Sequence, residues 1–218
     1  MIGRIVTSLL LLALPASTLR PQAADPNLRL LEAEIARLSA ISGGKVGVGI
    51  IHIESGRELF VNGSEPFPMA STFKVPVAVE LLARVQAGTV RLDSMITLQP
   101  ADLHPGSGTL TGLFNDPGVS LSVHNLLELM LLISDNSATD IVLKVAGGAS
   151  AVNARLATLG INGISVDRPT IHLIADAIGV KDLGPESSWS IARFDSLNRA
   201  VTPAQRQAAR TAFYQDRR

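Results

Sequence analysis

The chain has 218 residues and no cysteine, and its 19 basic and 19 acidic residues give a formal net charge of zero. With 46% hydrophobic and 17% charged residues it reads as globular, long enough for one substantial core or two subdomains sharing one. Balanced charge without a Lys/Arg run argues against a nucleic-acid or anionic-membrane surface, and the cysteine count excludes disulfides and a lipid-modified cysteine.

Arg4 precedes an apolar run from Ile5 to Leu14, followed by Pro15 and small residues at Ala16, Ser17, Ala23 and Ala24. This is the pattern of a signal peptide over 1–24, and its run of about ten residues is half of what a bilayer-spanning helix needs. The expectation is a periplasmic or secreted protein without stable membrane insertion. Asp25-Pro26 then offers an N-cap and a first-turn proline, and Leu28, Leu31, Ile35 and Leu38 recur at helical spacing, predicting an amphipathic helix packed on a sheet. Lys45 to Ile53 alternates small or polar with β-branched residues, Glu54-Ser55-Gly56-Arg57 supplies a turn, and Glu58 to Val61 reads as the partner strand of a hairpin.

Ser71-Thr72-Phe73-Lys74 opens the next helix, which runs to about Ala87 with Gly88 as its C-cap. Val75 to Val85 is almost wholly apolar, so the helix is predicted to be buried with its polar start at a cavity, and Pro76 to bend or loosen its first turns. Pro105-Gly106-Ser107-Gly108-Thr109 reads as a turn. From Ser122 to Ile133 apolar residues occupy every face, predicting a helix buried all round that delivers Ser134-Asp135-Asn136. Helices over Ala138–Val145 and Ala151–Leu159 and a more polar helical tail over Ser187–Arg218 complete the chain. The elements read as α+β: an antiparallel sheet with flanking helices over 25–66, beside a mainly helical lobe over 67–218. With two readable strands the sheet looks incomplete.

Two strings carry candidate chemistry. On a helix, residues i and i+3 share a face, so Lys74 can lie beside Ser71 Oγ and activate it, provided that burial lowers the lysine pKa. Ser42-Gly43-Gly44-Lys45 repeats the spacing in a Gly-rich turn with no helix to align the pair. The plain alternatives are an N-cap for Ser71, a snorkelling lysine for Lys74, and caps ending one helix and starting the next for Ser134 and Asn136. Asp135 and Ser107 read as structural. His52, His104, His124 and His172 lack metal-ligand spacing, which argues against zinc, and neither a G-x-S-x-G elbow nor a phosphate-binding glycine loop occurs. No metal or cofactor is expected.

The combination of S-x-x-K at Ser71–Lys74 with S-D-N at Ser134–Asn136 resembles the class A serine β-lactamases and their penicillin-binding-protein relatives, from about Asn27 to Arg168. The resemblance implies a β-lactamase-like fold and a small-molecule β-lactam substrate, hence roles in antibiotic resistance or β-lactam catabolism, in a monomer if complete. It implies a Ser71 acyl-enzyme, with Lys74 as base, Ser134 relaying a proton to the departing nitrogen and Asn136 holding the substrate amide. Two departures stand out. Thr170, in Arg168-Pro169-Thr170-Ile171-His172-Leu173-Ile174, occupies the position of the family's deacylating glutamate, and Ile174 that of an asparagine. The K-T-G motif of a later strand is absent, and the sequence ends at Asp216-Arg217-Arg218, which reads as a C-terminally truncated product or a fragment. Three outcomes are therefore expected: a turning-over hydrolase, a penicillin-recognising protein that is acylated but releases product poorly, or a catalytically dead relative. Asp167, Asp176 or Glu186 are the candidates to replace the missing glutamate.

Overall fold

The computed structural model describes residues 25–215, so the signal-peptide segment 1–24 lies outside the described residues. The chain divides at Pro66/Phe67 into two compact units. In the first, α1 (Pro26–Ser39) begins as expected, with Asp25 accepting the Asn27 N–H at 2.9 Å and Pro26 at the first helical position. A hairpin follows, β1 (Val48–His52) and β2 (Arg57–Val61), in the register Val48↔Val61, Ile50↔Leu59, His52↔Arg57. Gly56, at φ +64, closes the turn in a conformation open to glycine. The α1 helix packs against β2, yet Leu31 and Leu38 of its stripe stay exposed, and Leu59 is the one buried residue among 25–66 as described.

The second unit is built on α2 (Lys74–Gln86), which a 3-10 turn over Ala70–Phe73 precedes. Pro76 is the third residue of α2, where a missing N–H costs little, and the helix runs through it unbroken; the turn ahead of it is wound more tightly than an α-helix, not loosened. Two three-residue strands that the sequence did not disclose, β3 (Met95–Thr97) and β4 (Ser120–Ser122), pair antiparallel with Ile96 opposite Leu121. The short α3 (Leu110–Leu113) lies between them. Then come α4 (Val123–Leu132), capped by the Ser122 hydroxyl, α5 (Asn136–Val145), α6 (Gly148–Thr158), α7 (Thr170–Ile178), α8 (Ile191–Ala200) and α9 (Pro203–Gln215).

The principal core joins Phe73 of the 3-10 turn and Val77 and Leu81 of α2 to Leu126 and Met130 of α4, Ile141 and Val142 of α5 and Val152 and Leu156 of α6. A smaller core collects Ile171, Ala175, Val180, Leu183 and Phe194 around α7 and α8. One expectation fails: α4 is not buried all round. Val123, Leu126, Leu127 and Met130 face inward, while Leu131, Leu132 and Ile133 are exposed, Leu132 at 77%. Hydrophobicity on every face says what a helix tolerates, and the number of neighbours decides what is covered. The fold is α+β, with two small antiparallel sheets and a dominant helical part.

Candidate active site

Two strained residues set the site. Ala70, at φ +45, turns the chain into the 3-10 turn that presents Ser71, and Ser134, at φ +59, sits between α4 and α5. Such conformations cost a non-glycine residue roughly 1–2 kcal/mol and persist where the surroundings fix them. The 3-10 turn has three residues per turn, so Ser71 and Lys74 align along it more closely than on an α-helix. Ser71 is exposed at the surface, while Lys74 is buried, 2% exposed.

The Lys74 ammonium has three donors and uses all of them. Nζ lies 2.7 Å from Ser134 O, 2.9 Å from Ser134 Oγ and 3.0 Å from Asn136 Oδ1. Ser134 Oγ in turn donates to Ser71 Oγ at 3.0 Å. Among the described residues no hydrogen bond joins Lys74 directly to Ser71, so the expected face-sharing contact is replaced by a chain through Ser134. Burial pushes the Lys74 pKa below its usual value, against the opposing pull of the Asp135 and Asp140 carboxylates.

Asp135 holds this arrangement together. Its Oδ1 accepts from Ala138 N at 2.8 Å, capping α5, and its Oδ2 accepts from Thr109 N at 2.6 Å and Leu110 N at 2.8 Å. A buried carboxylate thus ties the Pro105–Thr109 turn to the Ser134 loop, and that turn rides so close that only glycine fits. A Cβ on Gly108 would stand 2.2 Å from Asp135 Oδ2, and one on Gly106 2.2 Å from Asn136 Nδ2. Ser107, read from the sequence as a turn residue, donates to Ser134 O at 2.7 Å and reaches Asn136 Oδ1 at 3.3 Å, sharing two acceptors with Lys74. No signal near Ser107 in the chain announces this, because its partners lie 27 and 29 residues away.

Thr170 starts α7 and is buried, 4% exposed. Its N–H goes to Asp140 Oδ1 at 2.7 Å, the Ile171 N–H to Asp140 Oδ2 at 3.0 Å, and its hydroxyl to the backbone oxygen of Asn136 at 3.2 Å. The sequence reading passed over Asp140, which fixes this helix start from α5. Ile174 lies on the same side, its Cδ1 3.0 Å from where a Gly106 Cβ would be. The suggested substitutes are otherwise engaged: Asp167 and Asp176 with Arg168, and Glu186 with Lys144 at 2.7 Å. The second S-x-x-K string makes no such cluster. Ser42 Oγ bonds Ser39 O, and Lys45 Nζ bonds Glu65 at 2.6 Å.

The model of the Beta-lactamase enzyme family matches residues 30–209. The chain belongs to that family. Beta-lactamase L2 of Stenotrophomonas maltophilia is 30% identical over 127 residues, 58% of this chain and 41% of that protein. Among solved structures, a PBP-A mutant, titled as an acyl-enzyme complex with penicillin G, is 30% identical with a TM-score of 0.62, over 67% of this chain and 55% of that one. An ancestral class A β-lactamase is 32% identical with a TM-score of 0.61, over 82% and 68%. The chain spans about half the length of the curated relatives it matches. Among the described residues no helix is long and apolar enough to cross a membrane.

Proposed function

We propose that Ser71 attacks the carbonyl of a β-lactam to form an acyl-enzyme that this chain hydrolyses slowly. The observation that carries the reading is the continuous chain from Lys74 Nζ through Ser134 Oγ to Ser71 Oγ, at 2.9 and 3.0 Å. With Lys74 charged, both bonds donate toward Ser71. With Lys74 neutral, as its burial favours, they reverse: Ser71 donates to Ser134, and Ser134 to Nζ. Ser71 Oγ then bonds the carbonyl carbon while its proton passes through Ser134 to Lys74. As the ring C–N bond breaks, the proton returns through Ser134 to the departing nitrogen. Asn136, whose Oδ1 faces Lys74, has its amide group left for the substrate.

Slow release is favoured by Thr170. A threonine hydroxyl is no general base near neutral pH, and this one is buried against the Asn136 carbonyl beside the apolar Ile174. The test is intact-protein mass spectrometry with penicillin G over time. A mass gain of one penicillin that persists for many minutes supports the reading, and rapid loss of the adduct with accumulating product points to a turning-over hydrolase. An adduct that survives Ser71→Ala sinks the assignment of the nucleophile.

A further inference from the structure

Ser134 is the middle link of the proposed relay, and its backbone stands in a left-handed conformation, φ +59, that serine does not favour. Two side chains grip its carbonyl oxygen, Lys74 through Nζ at 2.7 Å and Ser107 through Oγ at 2.7 Å. They are not equivalent. Lys74 changes charge during the reaction, and its bond to Ser134 O drops from a charge-assisted to an ordinary one, about half as strong, once the ammonium loses its proton. The Ser107 hydroxyl keeps its proton throughout. The lysine's hold on Ser134 is therefore weakest with Lys74 neutral, which is the state in which Ser71 must donate to Ser134 and Ser134 to Nζ.

Ser107 is itself firmly placed. Its carbonyl accepts the Asn136 N–H at 2.8 Å, so this one residue bonds both ends of Ser134-Asp135-Asn136. Gly106 at φ +130 and Gly108 at φ +119 flank it in backbone conformations open to glycine, and beyond them Asp135 Oδ2 holds the Thr109 and Leu110 N–H groups.

We infer that Ser107 is a positioning residue for acylation: its hydroxyl holds the Ser134 carbonyl, and with it Ser134 Oγ between Ser71 and Lys74, while Lys74 is neutral. The inference rests on the acylation reading above. Because the Ser107 bond supports Ser134 equally with Lys74 charged or neutral, its loss leaves the balance between those two ordered forms unchanged. What it permits is relaxation of Ser134 in the neutral form, where the lysine no longer holds the carbonyl strongly. Among the described residues the charged groups acting on Lys74 are the Asp135 and Asp140 carboxylates, with His104 3.0 Å from Asp140, and a change at Ser107 leaves all three in place.

The test is the rate of penicillin G acylation, followed by quench-flow and mass spectrometry across the Lys74 titration. In Ser107→Ala the rate should be unchanged on the acid side and fall about three- to tenfold at the alkaline plateau, the range of a single hydrogen bond. The midpoint should drop by the same factor, about 0.5–1 pH unit. Ser107→Thr, which keeps the hydroxyl, should restore the plateau. An equal loss at every pH would make Ser107 a structural part only, and a raised midpoint would make it a competitor of Lys74 for acceptors. Either result overturns the proposal, as does a Ser107→Thr plateau as low as that of Ser107→Ala. A second readout needs no penicillin: the carbon-13 signals of Ser134, which report its backbone angles, should stay in the left-handed range throughout the titration of the unsubstituted protein and leave it above the Lys74 midpoint in Ser107→Ala. Signals that stay there in the variant overturn the proposal. Absence of a penicillin adduct on the unsubstituted protein would instead sink the acylation reading, and the Ser134 signals would still decide the role of Ser107.

Discussion

The two units differ in how they are held. Residues 67–215 carry a core in which Val77, Leu81, Leu110, Leu126 and Met130 are wholly enclosed, and every group of the candidate site hangs from that core. Residues 25–66 carry one buried side chain, Leu59, and leave Ile50, Ile51, Ile53 and Phe60 of the hairpin region exposed. A nucleophile and its proton relay need fixed geometry, which packing density supplies. The hairpin unit, whose two strands each keep an unpaired edge among the described residues, has hydrogen-bonded geometry without that enclosure.

The contrast can be broken by experiment. The largest effect is expected at the relay: Lys74→Ala should slow penicillin acylation by about 10²–10⁴, the usual worth of a positioned base, measured by adduct formation in quench-flow. An unchanged rate would remove Lys74 from the reaction. Since burial lowers the Lys74 pKa, the acylation rate should rise with pH through a midpoint below 10.5, and a midpoint at or above that value would contradict the burial. The sign for stability is the same. The unfolded chain holds this proton more tightly than the fold does, so Lys74 contributes a penalty that is fully present below its folded pKa and disappears as pH rises toward 10.5.

Next come the supports. Leu81→Ala, at a wholly buried site, should cost about 2–5 kcal/mol in denaturant unfolding, and Leu59→Ala less, because only α1 and the hairpin surround it. Equal costs would erase the distinction between the units. Asp135→Ala, which strands three backbone N–H groups, should cost about 3 kcal/mol or more and loosen both loops of the site. Thr170→Glu should shorten the life of the penicillin adduct, with unchanged release arguing against the register assigned to α7. The smallest effect is Ile53→Thr, at an 88% exposed turn position, within about 0.5 kcal/mol.

The elements that the sequence made legible are those whose signals are local. Asp25-Pro26 announced α1, Gly56 the hairpin turn, and Ser134-Asp135-Asn136 the break between α4 and α5, each through caps and turn chemistry acting within a few residues. The β3 and β4 strands escaped because three residues cannot display a period. The α7 helix escaped because its cap comes from Asp140, 30 residues earlier, with no Ser, Thr, Asp or Asn at its own N-cap position, where Pro169 stands. Ser107 was read as a turn residue for the same reason: what it bonds lies across the fold.

The sequence by itself determined which residue types stand at which spacings: Ser71 three before Lys74, Ser134 two before Asn136, and threonine at 170. Tertiary structure alone decided how they meet. It put Ser134 between Ser71 and Lys74, turned Thr170 into the Asn136 carbonyl, and covered one face of α4 while leaving the other to water. The physical reason is range. Caps, turns and periodicity are settled by neighbours along the chain, whereas desolvation and hydrogen-bond partners depend on what packing brings from sixty residues away.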